Sequence, residues 1–66
     1  MSAELQLLRA NRNAKLMNSD WTQLPDAPLT GSKKTEWSTY RQSLRDITKT
    51  YTSMEDKGFA FPAEPS

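Results

Sequence analysis

The 66-residue chain has no cysteine and no histidine. Disulfides and zinc sites, the usual staples of chains this short, are therefore excluded. So are the side chains most used as nucleophile and general base near neutral pH. No apolar run approaches the roughly 20 residues that cross a bilayer. The opening stretch MSAELQLLRANRNAK sets Glu4 ahead of its basic residues and lacks the basic-then-apolar order of a signal peptide. An intracellular chain with no membrane contact is expected. Glycine is scarce, with Gly31 and Gly58 far apart, so there is no phosphate-cradling loop. Net charge is only +1, which lacks the basicity of a nucleic-acid binder, and no nucleic-acid partner is expected.

A chain of this length buries only about 60% of its unfolded surface, so its own core is small and a partner subunit is the remaining outside source of stability. The charge that is present is uneven. The helical stretches carry Arg9, Arg12, Lys15, Lys33, Lys34, Arg41, Arg45 and Lys49, whereas the connecting loop and the C-terminal tail are acidic.

Ser2 to about Met17 reads as a helix, with Ser2 as its cap and Glu4 at the positive end of its dipole. Ala3, Leu7, Ala10, Ala14, Met17 and Trp21 recur at alternating spacings of four and three and form one apolar stripe. Leu5, Leu8 and Leu16 fall outside it and are expected to be surplus apolar surface for a partner. Asn18, Ser19 and Asp20 are turn formers that end the helix.

The second helix, about 31–49 with an extension to 54 open, has its own stripe of Trp37, Tyr40, Leu44, Ile47, Tyr51 and Met54. Thr30 or Ser32 caps it, and the run TKTYTS weakens its last turns. Between the helices, DWTQLPDAPL carries Pro25 and Pro28, which disfavour helical geometry at Leu24 and Ala27 and predict a stiff, extended link. Trp21, Leu24, Leu29 and Trp37 are expected to cluster at the turn of the hairpin. Gly58 reads as the stop of the second helix, and Pro62 and Pro65 keep the segment after it extended. Phe59 and Phe61, two residues apart on an extended backbone, point the same way and need covering by the chain's own helices or by another chain.

The expected fold is mainly α. It is a two-helix hairpin over 1–57 with a Pro-containing loop at 18–30, followed by an extended aromatic and proline-containing tail over 58–66.

The run RNAKLMNSDWTQLPDAPLTGSKKTEWSTYRQSLRDI, Arg12 to Ile47, resembles the small tail assembly chaperones and tail-fibre assembly proteins of tailed bacteriophages. The resemblance is carried by Arg12, Asn13, Leu16 and the stretch from Ser19 to Leu29 other than Ala27, then by Trp37, Tyr40, Arg41, Leu44, Arg45 and Asp46. Thr48 stands where such sequences often have proline, so a longer second helix is expected. The resemblance implies a protein that binds a phage tail or tail-fibre subunit in the host cytoplasm during assembly. The alternative is a minor structural subunit that stays in the virion tail.

No enzyme, cofactor or metal is expected. Asp20 and Asp26 read as turn formers beside the prolines rather than as an acid–base pair. Arg41 and Arg45 lie one turn apart and would be relieved by Asp20 and Asp26 of the loop, or by carboxylates of a partner. Candidate partner-binding residues are Leu5, Leu8 and Leu16 of the first helix, Trp21 and Leu24 of the loop, Trp37, Arg41 and Arg45 of the second helix, and Phe59, Phe61 and Pro62 of the tail. A second copy of the chain is a further candidate partner.

Overall fold

A computed structural model describes residues 2–65, and Met1 and Ser66, the outermost residues of the expected hairpin and tail, lie outside it. Helix α1 spans Ala3–Ser19 and runs directly into a 3₁₀ turn, Asp20–Gln23; helix α2 spans Gly31–Thr50. The Ser2 side chain caps α1 by accepting from the Leu5 N–H, and Thr30 caps α2 by accepting from the Lys33 N–H, each satisfying a donor that the first helical turn leaves unpaired. The two helices pack as an antiparallel hairpin. Arg12 of α1 donates to the Arg45 carbonyl, and Arg41 of α2 donates to the Leu16 carbonyl.

The link between the helices is stiff but not extended. Ala27 N–H donates to the Leu24 carbonyl at 3.1 Å, closing a β-turn with Pro25 at its second position, and Leu29 N–H donates to the Ala27 carbonyl at 2.8 Å around Pro28. Proline's fixed φ suits both turns, so two tight turns occupy the stretch for which an extended run was expected.

The core is small and contains Leu8, Tyr40, Leu44 and Ile47, with Leu8 and Leu44 fully buried. The α2 stripe lies as its spacing predicts from Trp37 to Ile47, whereas Tyr51 and Met54 fall beyond the end of the helix, which does not extend to 54. The α1 stripe does not face the core. Leu8 and Ser19 are buried and Leu5, Arg12, Lys15 and Leu16 half-buried, while Ala3, Leu7, Ala10, Ala14, Met17 and Trp21 are exposed. The apolar stripe of α1 is therefore its outer face, and Leu8, expected as surplus surface, is a core residue. Three of the six stripe members are alanines, whose contribution to a core is slight, whereas the inner face presents three leucines, each burying more apolar area.

Helix α2 ends at Thr50, eight residues before Gly58. The intervening chain turns back on itself. Asp56 accepts from the Thr52 and Ser53 N–H groups, and Gly58 adopts a positive φ of 77°, open to glycine at little cost. Gly58 thus serves this turn and not the helix stop. The extended segment after it returns along α2 from Tyr51 toward Thr35. The whole is elongated, 39 × 19 × 16 Å, with a radius of gyration of 13.1 Å, against about 11 Å for a compact chain of this length.

Candidate partner interface

Arg41 joins the end of α1 to α2. One guanidinium nitrogen donates to the Leu16 carbonyl and to Ser19 Oγ, both at 2.8 Å, and the other reaches Asp20 Oδ1 at 2.7 Å. A cation here meets the negative end of the α1 dipole and carbonyls that the last turn leaves unpaired. Arg41 is buried and committed inside the chain, which removes it as a contact for a partner. The loop pairing expected for it is the one found, through Asp20. Arg45 is exposed and donates to Gln42 Oε1 at 3.2 Å, so its charge remains at the surface.

Next to this junction the aromatic rings form a ladder. Trp21 and Trp37 lie with centroids 5.9 Å apart, and Trp37 meets Tyr40 edge-on at 5.6 Å. Trp37 is half-buried, while Trp21 remains 45% exposed. Leu24, expected inside the cluster, is 53% exposed. The ladder thus has a buried end at Tyr40 and an open end at Trp21.

The tail packs on its own helices. Phe59 meets Tyr51 edge-on at 5.1 Å and Phe61 at 5.0 Å, and Lys15 of α1 sits 4.8 Å from the Phe61 ring centre. Stem and charge of Lys15 both contribute there, the stem by covering the ring and the ammonium by cation–π attraction. Phe59, Phe61 and Pro62 are half-buried in this way rather than fully offered to a partner. Farther along, Pro62, Ala63 and Pro65 line one side of a shallow groove whose other side is Thr35, Glu36, Thr39, Tyr40 and Ser43. The Tyr40 hydroxyl is buried there beside the Glu64 carboxylate. Its pKa is raised above that of an ordinary phenol, first by burial and then by the nearby Glu64 carboxylate.

What remains open is the outer face of α1, continued round the turn. Leu7 is 55% and Met17 73% exposed, and with Trp21 and Leu24 they make up the large exposed apolar side chains among the described residues. Of these, Trp21 and Leu24 are among the candidate partner-binding residues singled out in the sequence, and Leu7 and Met17 belong to the apolar stripe of the first helix. Leu5 and Leu16 are half-buried against the rest of the fold. Among the described residues there is no cluster of acids that could hold a metal, and no helix long and apolar enough to cross a membrane.

A family model for phage tail assembly chaperone proteins matches residues 5–66. The chain belongs to the phage tail assembly chaperone family. The match takes in both helices after the first turn of α1, the proline turns and the returning tail, so the whole interface just described lies within it. Membership gives this chaperone a role in the assembly of phage tails and a partner among tail proteins. No curated protein and no solved structure matches the chain.

Proposed function

We propose that this tail assembly chaperone acts in the host cytoplasm by holding an apolar segment of an unassembled tail or tail-fibre subunit on the outer face of α1 and the turn that follows it. The observation that carries this reading is the run of Leu7, Met17, Trp21 and Leu24, large apolar side chains left exposed on a member of a tail assembly family. Exposed apolar side chains on a chain with so little core of its own mark an interaction surface more often than a structural accident. Met17 adds adaptability, because an unbranched thioether side chain fits differently shaped partners. Trp21, braced from behind by Trp37, offers a rigid ring of the kind enriched at the centres of interfaces.

The chemistry asked of the site is shielding. Holding a client's apolar segment out of water lowers the concentration of free aggregation-prone subunit, and assembly of the tail removes the client when its own neighbours cover that segment. No titratable or nucleophilic group is needed. The test is the soluble yield of each tail protein of the parent phage, made with and without this chain and with the double variant Leu7→Glu, Met17→Glu. A rise in yield of at least one subunit with the native chain, lost with the variant, is the expected result. An unchanged yield for every tail subunit overturns the reading.

A further inference from the structure

The returning tail is held differently from the hairpin it lies on. Among the described residues, no backbone group from Ala60 to Pro65 pairs with the backbone of either helix, and the Phe59 N–H bonds to the Asp56 carbonyl at 3.0 Å, inside the turn. Side chains do the holding. Phe59 packs edge-on against Tyr51, Phe61 packs against Phe59, and Lys15 of α1 lies over the Phe61 ring. The Tyr51 hydroxyl donates to the Gly58 carbonyl at 3.1 Å, and Glu64 lies beside the Tyr40 hydroxyl. From Phe59 to Pro65 no residue is fully buried: Phe59, Phe61, Pro62 and Pro65 are half-buried, and Ala60, Ala63 and Glu64 are exposed. A segment held so lightly opens at a lower free energy than the core it covers.

The tail also fills its bed incompletely. Beside Ala63 a shallow groove of about 380 Å³ remains against Thr35, Thr39 and Tyr40. Beside Ala60 a second, of about 340 Å³, remains against Ser43, Ile47 and Tyr51. Alanine is too short to fill either gap, and an unfilled gap forfeits dispersion contacts. What the tail does supply is shape. Pro62 and Pro65 stand three residues apart and both line the groove that contains Tyr40, the spacing at which an extended proline-containing segment returns to the same side. Proline-containing segments dock on aromatic-lined grooves in this manner, at low cost in chain entropy.

We infer that the tail is a strap that opens at the turn of residues 51–58 while the hairpin stays folded, and that the strip beneath it takes an extended segment of a tail protein with the strap's own chemistry. That chemistry is two aromatic side chains two residues apart, followed by prolines three apart. The strap is itself the example of such a segment in place, so the rings, the prolines and the bed they rest on define what fits. Being tethered, it competes at an effective concentration on the order of millimolar. It therefore keeps the strip shut against weak binders and yields to a segment whose larger side chains fill the gaps beside Ala60 and Ala63. The strip shares no residue with the outer face of α1 at Leu7, Met17, Trp21 and Leu24, so it is a second site and does not depend on the first.

The native chain tests the opening. On heating, the NMR signals of the Lys15 side chain, shifted by the Phe61 ring, and of the Ala63 methyl are expected to reach unfolded values below the temperature at which helical circular dichroism is lost. The full-length variant Phe61→Ser tests the strip. It is expected to keep its helical content and to bind the free peptide GFAFPAEPS, followed by the Tyr40 and Ile47 signals, about tenfold or more tightly than the native chain, whose own strap competes. The changes Ala60→Leu and Ala63→Leu in the peptide are expected to tighten binding about fivefold through added apolar burial. Exchange of both its phenylalanines for serine is expected to abolish binding. Tail and helices that melt together, loss of helix in Phe61→Ser, or a folded Phe61→Ser chain that binds no peptide overturns the proposal. The pair Met17→Glu, Leu24→Glu is expected to leave peptide binding unchanged, so the strip and the client site on the outer face of α1 fail separately.

Discussion

Arg41 Nη2 lies 2.7 Å from Asp20 Oδ1, and through this contact α2 fastens the end of α1 as the chain leaves it for the proline turns. The two partners differ in environment. The Arg41 side chain is 10% exposed and that of Asp20 63%. Water screens the ion pair from the Asp20 side, so more of the contact's value rests on the buried hydrogen bonds from Arg41 to the Leu16 carbonyl and Ser19 Oγ. Arg41→Ala is expected to cost about 2–3 kcal/mol, on the scale of hydrogen bonds made by charged groups. Asp20→Asn is expected to cost less than about 1 kcal/mol. Urea unfolding followed by tryptophan fluorescence measures both, and equal losses would contradict the assignment.

The orientation of α1 makes an opposite forecast for two adjacent leucines. Leu8 has no exposed surface and Leu7 is 55% exposed. Leu8→Ala is expected to cost about 2–5 kcal/mol, enough to unfold a chain whose core supplies no more than about 3–5 kcal/mol. Leu7→Ala is expected to change stability by under about 0.5 kcal/mol. Thermal melts of the two variants decide it, and a reversed order would put the helix back in the phase that alternating spacings suggest.

Tyr40 predicts a sensitivity to alkali. Its pKa is raised in the folded chain above that of an ordinary phenol, by burial first and then by Glu64. A group with a raised folded pKa contributes stability fully below its unfolded pKa and loses that contribution as pH rises through the folded one. The melting temperature is therefore expected to fall above about pH 10, and to fall less in Tyr40→Phe. Melts at pH 7, 9, 10 and 11 for the two proteins test both statements.

The two glycines are expected to respond to alanine with opposite signs. Gly58 has a φ of 77°, and an added Cβ is strained there although nothing lies within 4 Å of it. Gly58→Ala is expected to destabilise by about 1 kcal/mol. Gly31 opens α2 with open space around it, and Gly31→Ala is expected to stabilise by about 0.4–1 kcal/mol through the lower entropy of the unfolded chain. Matched denaturation curves read the two signs directly.

Much of this architecture is legible in the sequence, and the exceptions have physical causes. Ser2 and Thr30 announce the helix starts because cap residues act locally, and the stripe from Trp37 to Ile47 announces the core because its members are large. Arg41 with Asp20 could be foreseen from charge and position. The rotation of α1 could not, because that helix carries apolar residues on two faces. The inner one is disguised by Arg12, which reaches the Arg45 carbonyl, and by Ser19, whose hydroxyl accepts from Arg41. Weighting side chains by buried area instead of counting apolar letters would have favoured Leu5, Leu8 and Leu16 over three alanines. At the candidate interface Trp21 and Leu24 are named from the sequence as partner candidates, whereas the exposure of Leu7 and Met17 follows from the rotation of α1 and is not legible there.

The role of that outer face in tail assembly is tested most directly in cells infected with a phage lacking this gene and supplied with variants of it. Met17→Glu and Leu24→Glu change exposed side chains, so both variants are expected to fold with native helical content. Tailed particles counted by electron microscopy are expected to return with the native chain and with the control Lys49→Ala, and to fall at least tenfold with the pair Met17→Glu, Leu24→Glu. Normal numbers of tailed particles with that pair would contradict the assignment of client binding to the outer face of α1.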